Sequence, residues 1–521
     1  MDRLHPLDTL DHVADTQEPV LALLADPATH GGREVKRIDT HAASVFLAGE
    51  RALKIKRAVR FPFLDFSTLE QRKAACEAEI EINRAFAPEI YRRVVAITRA
   101  PDGTLALAGS GEPVEWAVEM RRFDDALTLD NLAHQGRVDP ALADTLGRIV
   151  AAAHAQAAPV EPQAWIDAMG AYIAEHVTAL GKAPDLFPPV EVTALGRLSG
   201  AVYEHIRPLM IERGRRGLIR RIHGDLHLGN IALIADRPVL FDAIEFSPLI
   251  GSGDVLYDLA FLLMDLVERG LPEAANVVFN RYLTQSRRAE DLDALAALPF
   301  YLSMRAAMRA KVAAERRERA TASEQAAIGE SARRYFDPAR RAIEPAPPVM
   351  VATGGRSGTG KSALARTLAP QLAPMPGAVV LRSDTERKAL FDKDEDEKLP
   401  AVAYTTGVTL RVYAVIADKA RRAAAAGHSV ILDAVFGEPS ERLLAEASAA
   451  VLGVRFHGLF LEAPLATRIK RVGARSRDAS DADAAVARAQ ESHDLGPLEW
   501  TRIDAAGAPE DTLGNARAQL P

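Results

Sequence analysis

The chain has 521 residues, more than one ordinary hydrophobic core accommodates, and size alone corresponds to about three domains. Its 48% hydrophobic and 26% charged content is that of a soluble globular protein, and no apolar run is long enough to span a bilayer. The formal charge of −7 argues against broad nucleic-acid or anionic-membrane binding, and one cysteine, Cys76, excludes an internal disulfide or a thiolate metal cage. The stretch Met1 to Pro19 is acidic and has no apolar segment of secretory type, so a reducing, cytoplasmic location is expected.

Strand-like pieces crowd the first third: Ser44 to Leu47, Ala52 to Ile55, Val94 to Thr98, Thr104 to Leu107 and Glu115 to Met120. The segment Cys76 to Phe86 reads as a helix. From Leu142 onward helical periodicity dominates, as in Leu142, Leu146, Ile149 and Val150. A β-rich lobe followed by a helix-rich lobe predicts a two-lobed α+β fold, with a hinge just after Val118-Glu119-Met120. The clearest seam runs from Phe336 to Met350. There the charged helical stretch Lys311 to Arg334 gives way to Asp337-Pro338-Ala339 and then Glu344-Pro345-Ala346-Pro347-Pro348. Proline cannot donate a backbone hydrogen bond and biases its predecessor away from helix, so a semi-rigid linker is expected. The domains therefore read as 1–343 and 349–521, joined by the linker 344–348. Beyond it, Val349 to Thr353, Ala378 to Leu381, Ser429 to Leu432 and Val454 to Leu461 alternate with helices, the pattern of a parallel α/β sheet.

Two phosphate-handling signatures lie on this frame. The first is His223-Gly224-Asp225-Leu226-His227-Leu228-Gly229-Asn230, followed by the strand Pro238 to Phe241 and then Asp242. Phosphoryl transfer needs a carboxylate at the acceptor hydroxyl, ligands that hold magnesium on the phosphates, and a lysine on the nucleotide tail. Asp225 suits the first task and Asn230 with Asp242 the second, with Glu245 as a further carboxylate. This arrangement resembles the aminoglycoside phosphotransferase family, which includes choline-kinase-like enzymes, over roughly residues 30–335. The resemblance implies a bilobal protein-kinase-like fold that binds ATP with Mg2+. It makes Lys54 the strand lysine on the phosphates, with Lys56 as substitute. Glu79 becomes its partner, with Glu77 or Glu81 as substitutes, and Asp258 the acidic helix residue that braces the loop. No Gly-x-Gly-x-x-Gly precedes Lys54; the corresponding turn is Thr40-His41-Ala42-Ala43-Ser44. Other readings stand beside this one. His223 shapes the loop rather than acting as acid or base; His223, Asp225 and His227 form a metal cluster; the acidic residues are an ordinary turn; or the lobe binds nucleotide without catalysis.

The second signature is Gly355-Arg356-Ser357-Gly358-Thr359-Gly360-Lys361-Ser362, a complete P-loop between a buried-type strand and a helix. Gly355, Gly358 and Gly360 let backbone N–H groups close around phosphates, Lys361 reaches them, and the Ser362 hydroxyl holds magnesium. The next strand ends in Asp384, with Arg387 three residues on. This Asp-x-x-Arg resembles the gluconate kinase, zeta-toxin and polynucleotide kinase group, over about residues 348–510. The resemblance gives a P-loop NTPase sheet in which Asp384 activates the acceptor and Arg387 grips substrate or phosphate; a helix N-cap at Asp384 is the plainer alternative. Asp433 takes the second acidic position, for magnesium water, for substrate hydroxyl or only as a strand end. Arg468, Arg471, Arg475 and Arg477 crowd a lid-like segment, with Arg475 the nominal γ-phosphate arginine and an exposed basic helix the alternative.

Together these predict a kinase with two Mg-ATP modules acting on small hydroxyl-bearing acceptors. Arg305 and Arg309 share a helix face, so an anionic acceptor follows if that face lines the cleft. A nucleotide-sensing regulator with a pseudokinase first module, and a nucleic-acid 5′-hydroxyl kinase, are the rival classes. Neither module obviously borrows a catalytic group from the other, so a cut near residue 345 is expected to leave two folding, ATP-binding fragments.

Overall fold

A computed structural model describes residues 17–40, 42–61, 64–474 and 479–520. His41, Arg475 and Arg477 lie outside the described residues, as does most of the Met1 to Pro19 stretch. Packing divides the chain into two compact units. One comprises residues 1–187, 207–265 and 309–333, and the other residues 188–206, 266–308 and 334–521.

In the first unit a six-stranded antiparallel sheet has the order Val35–Asp39, Ala43–Ala48, Arg51–Lys56, Glu112–Arg121, Tyr91–Arg99, Leu105–Leu107. The five strands read from the first third of the sequence lie in it. The helix Leu69–Arg84 starts where Thr68 and Gln71 form a reciprocal capping box, a device whose loss costs about 1 kcal/mol. Its Cys76 and Ile80 pack with Ile90, Tyr91, Val118 and Val239, which sets Glu79 against the sheet. Burial pushes the Cys76 thiol up to about 12, so it behaves as a small apolar residue rather than a nucleophile. Further along, Ile219–Arg221 pairs with Ser252–Asp254, and the hairpin Ile231–Ile234 with Arg237–Leu240 carries the chain towards Asp242.

The second unit holds a five-stranded, wholly parallel sheet ordered Val379–Arg382, Val430–Asp433, Val349–Gly355, Arg455–Glu462, Thr501–Asp504. Val351, Ile431, Leu459, Leu461 and Ile503 form its core with Leu364 and Leu368 of the helix Lys361–Leu368. The helix Pro272–Ser286 belongs to this unit although it precedes the linker. Asn280 donates from Nδ2 to Ala378 O (3.1 Å) and accepts at Oδ1 from Val380 N–H (2.7 Å). Asn276 Nδ2 also reaches Ala378 O, and Arg281 forks onto Glu395 with two contacts of 2.8 Å. Division by packing thus differs from the 1–343 and 349–521 division read from the prolines.

Residues 344–348 have no regular structure, but the seam starts later than Asp337-Pro338 suggests. The helix Ala322–Ile343 runs straight through Pro338. Tyr335, Phe336, Ala339, Ala342 and Ile343 are buried along it, and Ser303 Oγ donates to Ala339 O at 2.7 Å. Burial of that face outweighs the one hydrogen bond that proline removes.

Candidate active sites

Lys54 lies on the strand Arg51–Lys56, paired with Val118 of the neighbouring strand. Its Nζ is 2.9 Å from Glu79 Oε1 and 2.8 Å from Asp242 Oδ1. Burial works against its charge, but Asp242 and then Glu79 hold the ammonium well above its ordinary pKa. Glu79 is completely buried and takes both lysines: Lys56 Nζ sits 2.6 Å from its second oxygen and also pairs with Glu245. Burial would raise the Glu79 carboxyl, yet the two lysines hold it below the usual range. Glu77 instead meets Lys73 at the surface, and Glu81 is exposed. Asp242 adopts a left-handed backbone, φ 61°, and its N–H donates to the Tyr91 hydroxyl at 3.1 Å. Next to it, Asn83 clamps Ala243 from both sides, accepting from its N–H (2.7 Å) and donating to its carbonyl (3.1 Å).

The loop bearing Asp225 is hung from one helix, Val255–Glu268. Asp258 accepts from the N–H of His223 (2.9 Å) and of Gly224 (3.0 Å), and Asp265 from the N–H of Leu228 (2.9 Å). His223 turns away, its Nε2 2.9 Å from Phe241 O, and burial lowers its pKa, so it shapes the loop in neutral form. His227 accepts at Nδ1 from Gly229 N–H, which leaves the proton on Nε2, 3.4 Å from Asp225 Oδ2. Asn230 Nδ2 donates to Asp225 at both Oδ2 and the backbone carbonyl, each 3.0 Å away. Burial opposes ionisation of Asp225, but His227 above all, with Arg309, holds its carboxyl far below the usual range. Among the described residues no group of three or more His, Cys, Asp or Glu is arranged to hold a metal, so His223, Asp225 and His227 form no cage. Asn230 and Asp242 do fit magnesium: the Asn230 nitrogen is committed to Asp225, which leaves its amide oxygen as donor, and the Asp242 side chain is 46% exposed.

In the second unit the P-loop leaves the central strand, and two of its glycines are sterically required. A Cβ on Gly358 (φ 86°) would lie 2.5 Å from Arg468 O, and one on Gly355 (φ 137°) 2.5 Å from Leu461 O. Lys361 Nζ donates to Arg356 O at 3.2 Å. Beside the loop lies a cleft of about 290 Å³ lined by Gly358, Thr359, Gly360, Ser362, Arg471 and Leu513. Thr353, Asp433 and Arg382 stand level across three strands at the carboxyl edge, where α/β sheets bind ligands. Burial raises the Asp384 carboxyl, with Asp433 adding to the effect while Arg382 and Lys361 oppose it; Ser480 hydrogen-bonds it. Arg387 is buried, donates to Ala403 O at 2.7 Å and packs 5.1 Å from the Tyr404 ring centroid. Arg468 donates to Ser357 O and pairs with the Glu491 carboxylate, and Arg471 donates to the backbone carbonyls of Thr359, Ala505 and Gly507. They brace the P-loop through Ser357 and Thr359.

Residues 43–298 match the phosphotransferase enzyme family, and residues 350–494 match a family described as an AAA domain. Uncharacterized proteins of Mycobacterium tuberculosis and Mycobacterium bovis are 30% identical over 493 residues, covering 92% of this chain and 94% of theirs. Residues 43–298 of the chain belong to the phosphotransferase enzyme family, and a P-loop kinase-like domain at residues 350–494 is fused to them. The chain is an ATP-dependent kinase. Among solved structures it is similar to a choline/ethanolamine kinase family protein of Mesorhizobium loti (14% identity, 63% of this chain and 98% of that one, TM-score 0.35). It is also similar to a gluconokinase of Sinorhizobium meliloti 1021 (18%, 34% and 93%, TM-score 0.25) and an APS kinase of Mycobacterium tuberculosis (22%, 34% and 99%, TM-score 0.26). No described helix is long and apolar enough to cross a membrane.

Sequence reading passed over five residues that hold these sites. Asn83 is one helical turn after Glu79, and Asp265 two turns after Asp258, so helical spacing could have flagged both. Tyr91, Arg382 and Gln490, whose Oε1 accepts from Ser357 N–H at 2.7 Å, carry no local signal.

Proposed function

We propose that each module transfers the γ-phosphate of Mg-ATP to the hydroxyl of a small acceptor. In the first module, Asp225 orients the acceptor hydroxyl and draws its proton, Lys54 binds the phosphates, and Glu79 fixes Lys54 from behind. In the P-loop module, Asp384 has the same task towards its own acceptor, the backbone of residues 357–361 and Lys361 bind the phosphates, and Arg387 holds the segment around Ala403 and Tyr404 in place. Asn230 with Asp242 would hold magnesium in one site, and Ser362 with Asp433 in the other. Bound there, the ion neutralises phosphate charge as the bridging bond breaks. A γ-phosphate role for Arg475 remains part of this reading.

The observation that carries it is the convergence on Asp225. The carboxylate is held ionised and fixed by Asn230 and His227, on a loop tied to Asp258. Nucleotide storage alone needs no such carboxylate. Arg309 lies near enough to favour the ionised form of Asp225 and to oppose protonation of His227. That favours an anionic acceptor over a polycationic sugar. Transfer of labelled phosphate from ATP into a metabolite extract, run with wild type, Asp225→Asn and Asp384→Asn, tests both assignments. Two products are expected, each lost in one variant. ATP hydrolysis without any phosphorylated product would instead favour a nucleotide-sensing regulator, and labelling of RNA or DNA 5′ ends a nucleic-acid kinase.

A further inference from the structure

Arg382 ends the edge strand Val379–Arg382, level with Asp433 on the next strand. Its Nε lies 3.2 Å from Asp433 Oδ2 and its Nη2 3.2 Å from Ser362 Oγ. Its side chain is 17% exposed and that of Asp433 only 3%, so little water intervenes. The Ser362 hydroxyl and Asp433 carboxylate are the two oxygen donors that the P-loop reading gives to magnesium. One guanidinium therefore spans both. A tie between two strands would need only the Asp433 contact; the bond to the P-loop serine is what a strand tie leaves unexplained. Arginine keeps its charge at any accessible pH, and magnesium demands close, regularly placed oxygens, so the two cations compete for the same hydroxyl and carboxylate.

We propose that Arg382 is a resident cation of the P-loop site, holding Ser362 and Asp433 in the nucleotide-free chain and giving up Ser362 when a magnesium-bound nucleotide arrives. This rests on the P-loop being a Mg-ATP site. Released from Ser362, the guanidinium stays among Asp433, Asp384 and the incoming phosphates, so the positive charge remains in the site. Two opposite effects follow from one side chain. Arg382 raises the magnesium concentration needed for tight nucleotide binding, and it supports the weak binding of nucleotide without metal.

The test uses the full chain with the first site silenced by Asp242→Ala, and follows binding of a non-hydrolysable ATP analogue by calorimetry. With Arg382→Ala, the half-saturating magnesium concentration should fall about fivefold. In EDTA the same variant should bind the analogue roughly tenfold more weakly. Arg382→Lys, which keeps the charge but loses the fork, should lie between on both measures and guards against a folding defect in the alanine variant. A merely structural role moves both affinities in the same direction, and that outcome, or an unchanged magnesium requirement, would overturn the proposal. If the Asp242→Ala parent shows no magnesium-dependent binding that Lys361→Ala removes, the P-loop reading itself fails and takes this proposal with it.

Discussion

Lys54 Nζ stands 2.8 Å from Asp242 Oδ1, across 188 residues of chain. The two side chains to which the proposed mechanism gives the phosphates and the magnesium thus form an ion pair with each other. Asp242→Ala should abolish magnesium-dependent nucleotide binding at this site. Asp225→Asn should leave binding intact and lose transfer, because the proposed mechanism sets its carboxylate against the acceptor rather than ATP. Calorimetric titration with ATP, paired with turnover, separates the two; full phosphotransfer in both variants would remove the kinase assignment from this module.

At the P-loop, Lys361→Ala should weaken nucleotide binding and all turnover. Asp384→Asn preserves shape and should keep ATP affinity while transfer falls by about 10²-fold. Direct binding and product formation are the two measurements, and undiminished transfer in Asp384→Asn would take that residue out of the chemistry.

Acid should destabilise both units through buried histidines. Burial lowers His176 and His428 from 6.5 to about 4, with Lys311 reinforcing the effect at His176 and the Gly377 backbone opposing it at His428. Between pH 6.5 and about 4 the unfolded chain binds more protons, so stability is full above 6.5 and declines as pH falls through that window. Each shift corresponds to roughly 3 kcal/mol at the low end. Urea unfolding at pH 7.5 and 5 should show the loss, and His428→Leu should flatten part of it. His428 packs against Phe279, with ring centroids 5.3 Å apart, so an apolar replacement suits the site.

Cutting the chain at the linker should be less benign than the prolines suggest. Asn280→Ala in the full chain removes both bonds to the edge strand, and should cost about 1–3 kcal/mol. A fragment of residues 347–521 loses Asn276, Asn280 and Arg281 together. It should unfold at lower denaturant than one of residues 270–521, as followed by circular dichroism; equal midpoints would show that the helix contributes nothing.

What was legible in the sequence was local. Alternating strands, the P-loop glycines, and Asp225, Asn230 and Asp242 in one short segment are adjacent in the sequence as they are in the structure. Glu79 was separable from Glu77 and Glu81 only as a preference, since choosing among them needs the helix's rotation against the sheet. Arg382 carries no local signal because its partners, Ser362 and Asp433, are 20 and 51 residues away. Pro338 misled in the other direction: a strong local signal for a break yielded to a buried helix face.

The Asn280 amide has a consequence for self-association. On a parallel sheet's edge, the carbonyl of one residue and the N–H two residues later point outward, awaiting the next strand. Ala378 O and Val380 N are that pair, and a single side chain satisfies both. The helix Pro272–Ser286 thereby acts as a built-in chaperone, sealing the border along which a foreign β-segment would otherwise add. Truncations that begin after residue 286 would reopen it, and the P-loop fragment would then be open to strand addition from its folded state, besides being easier to unfold.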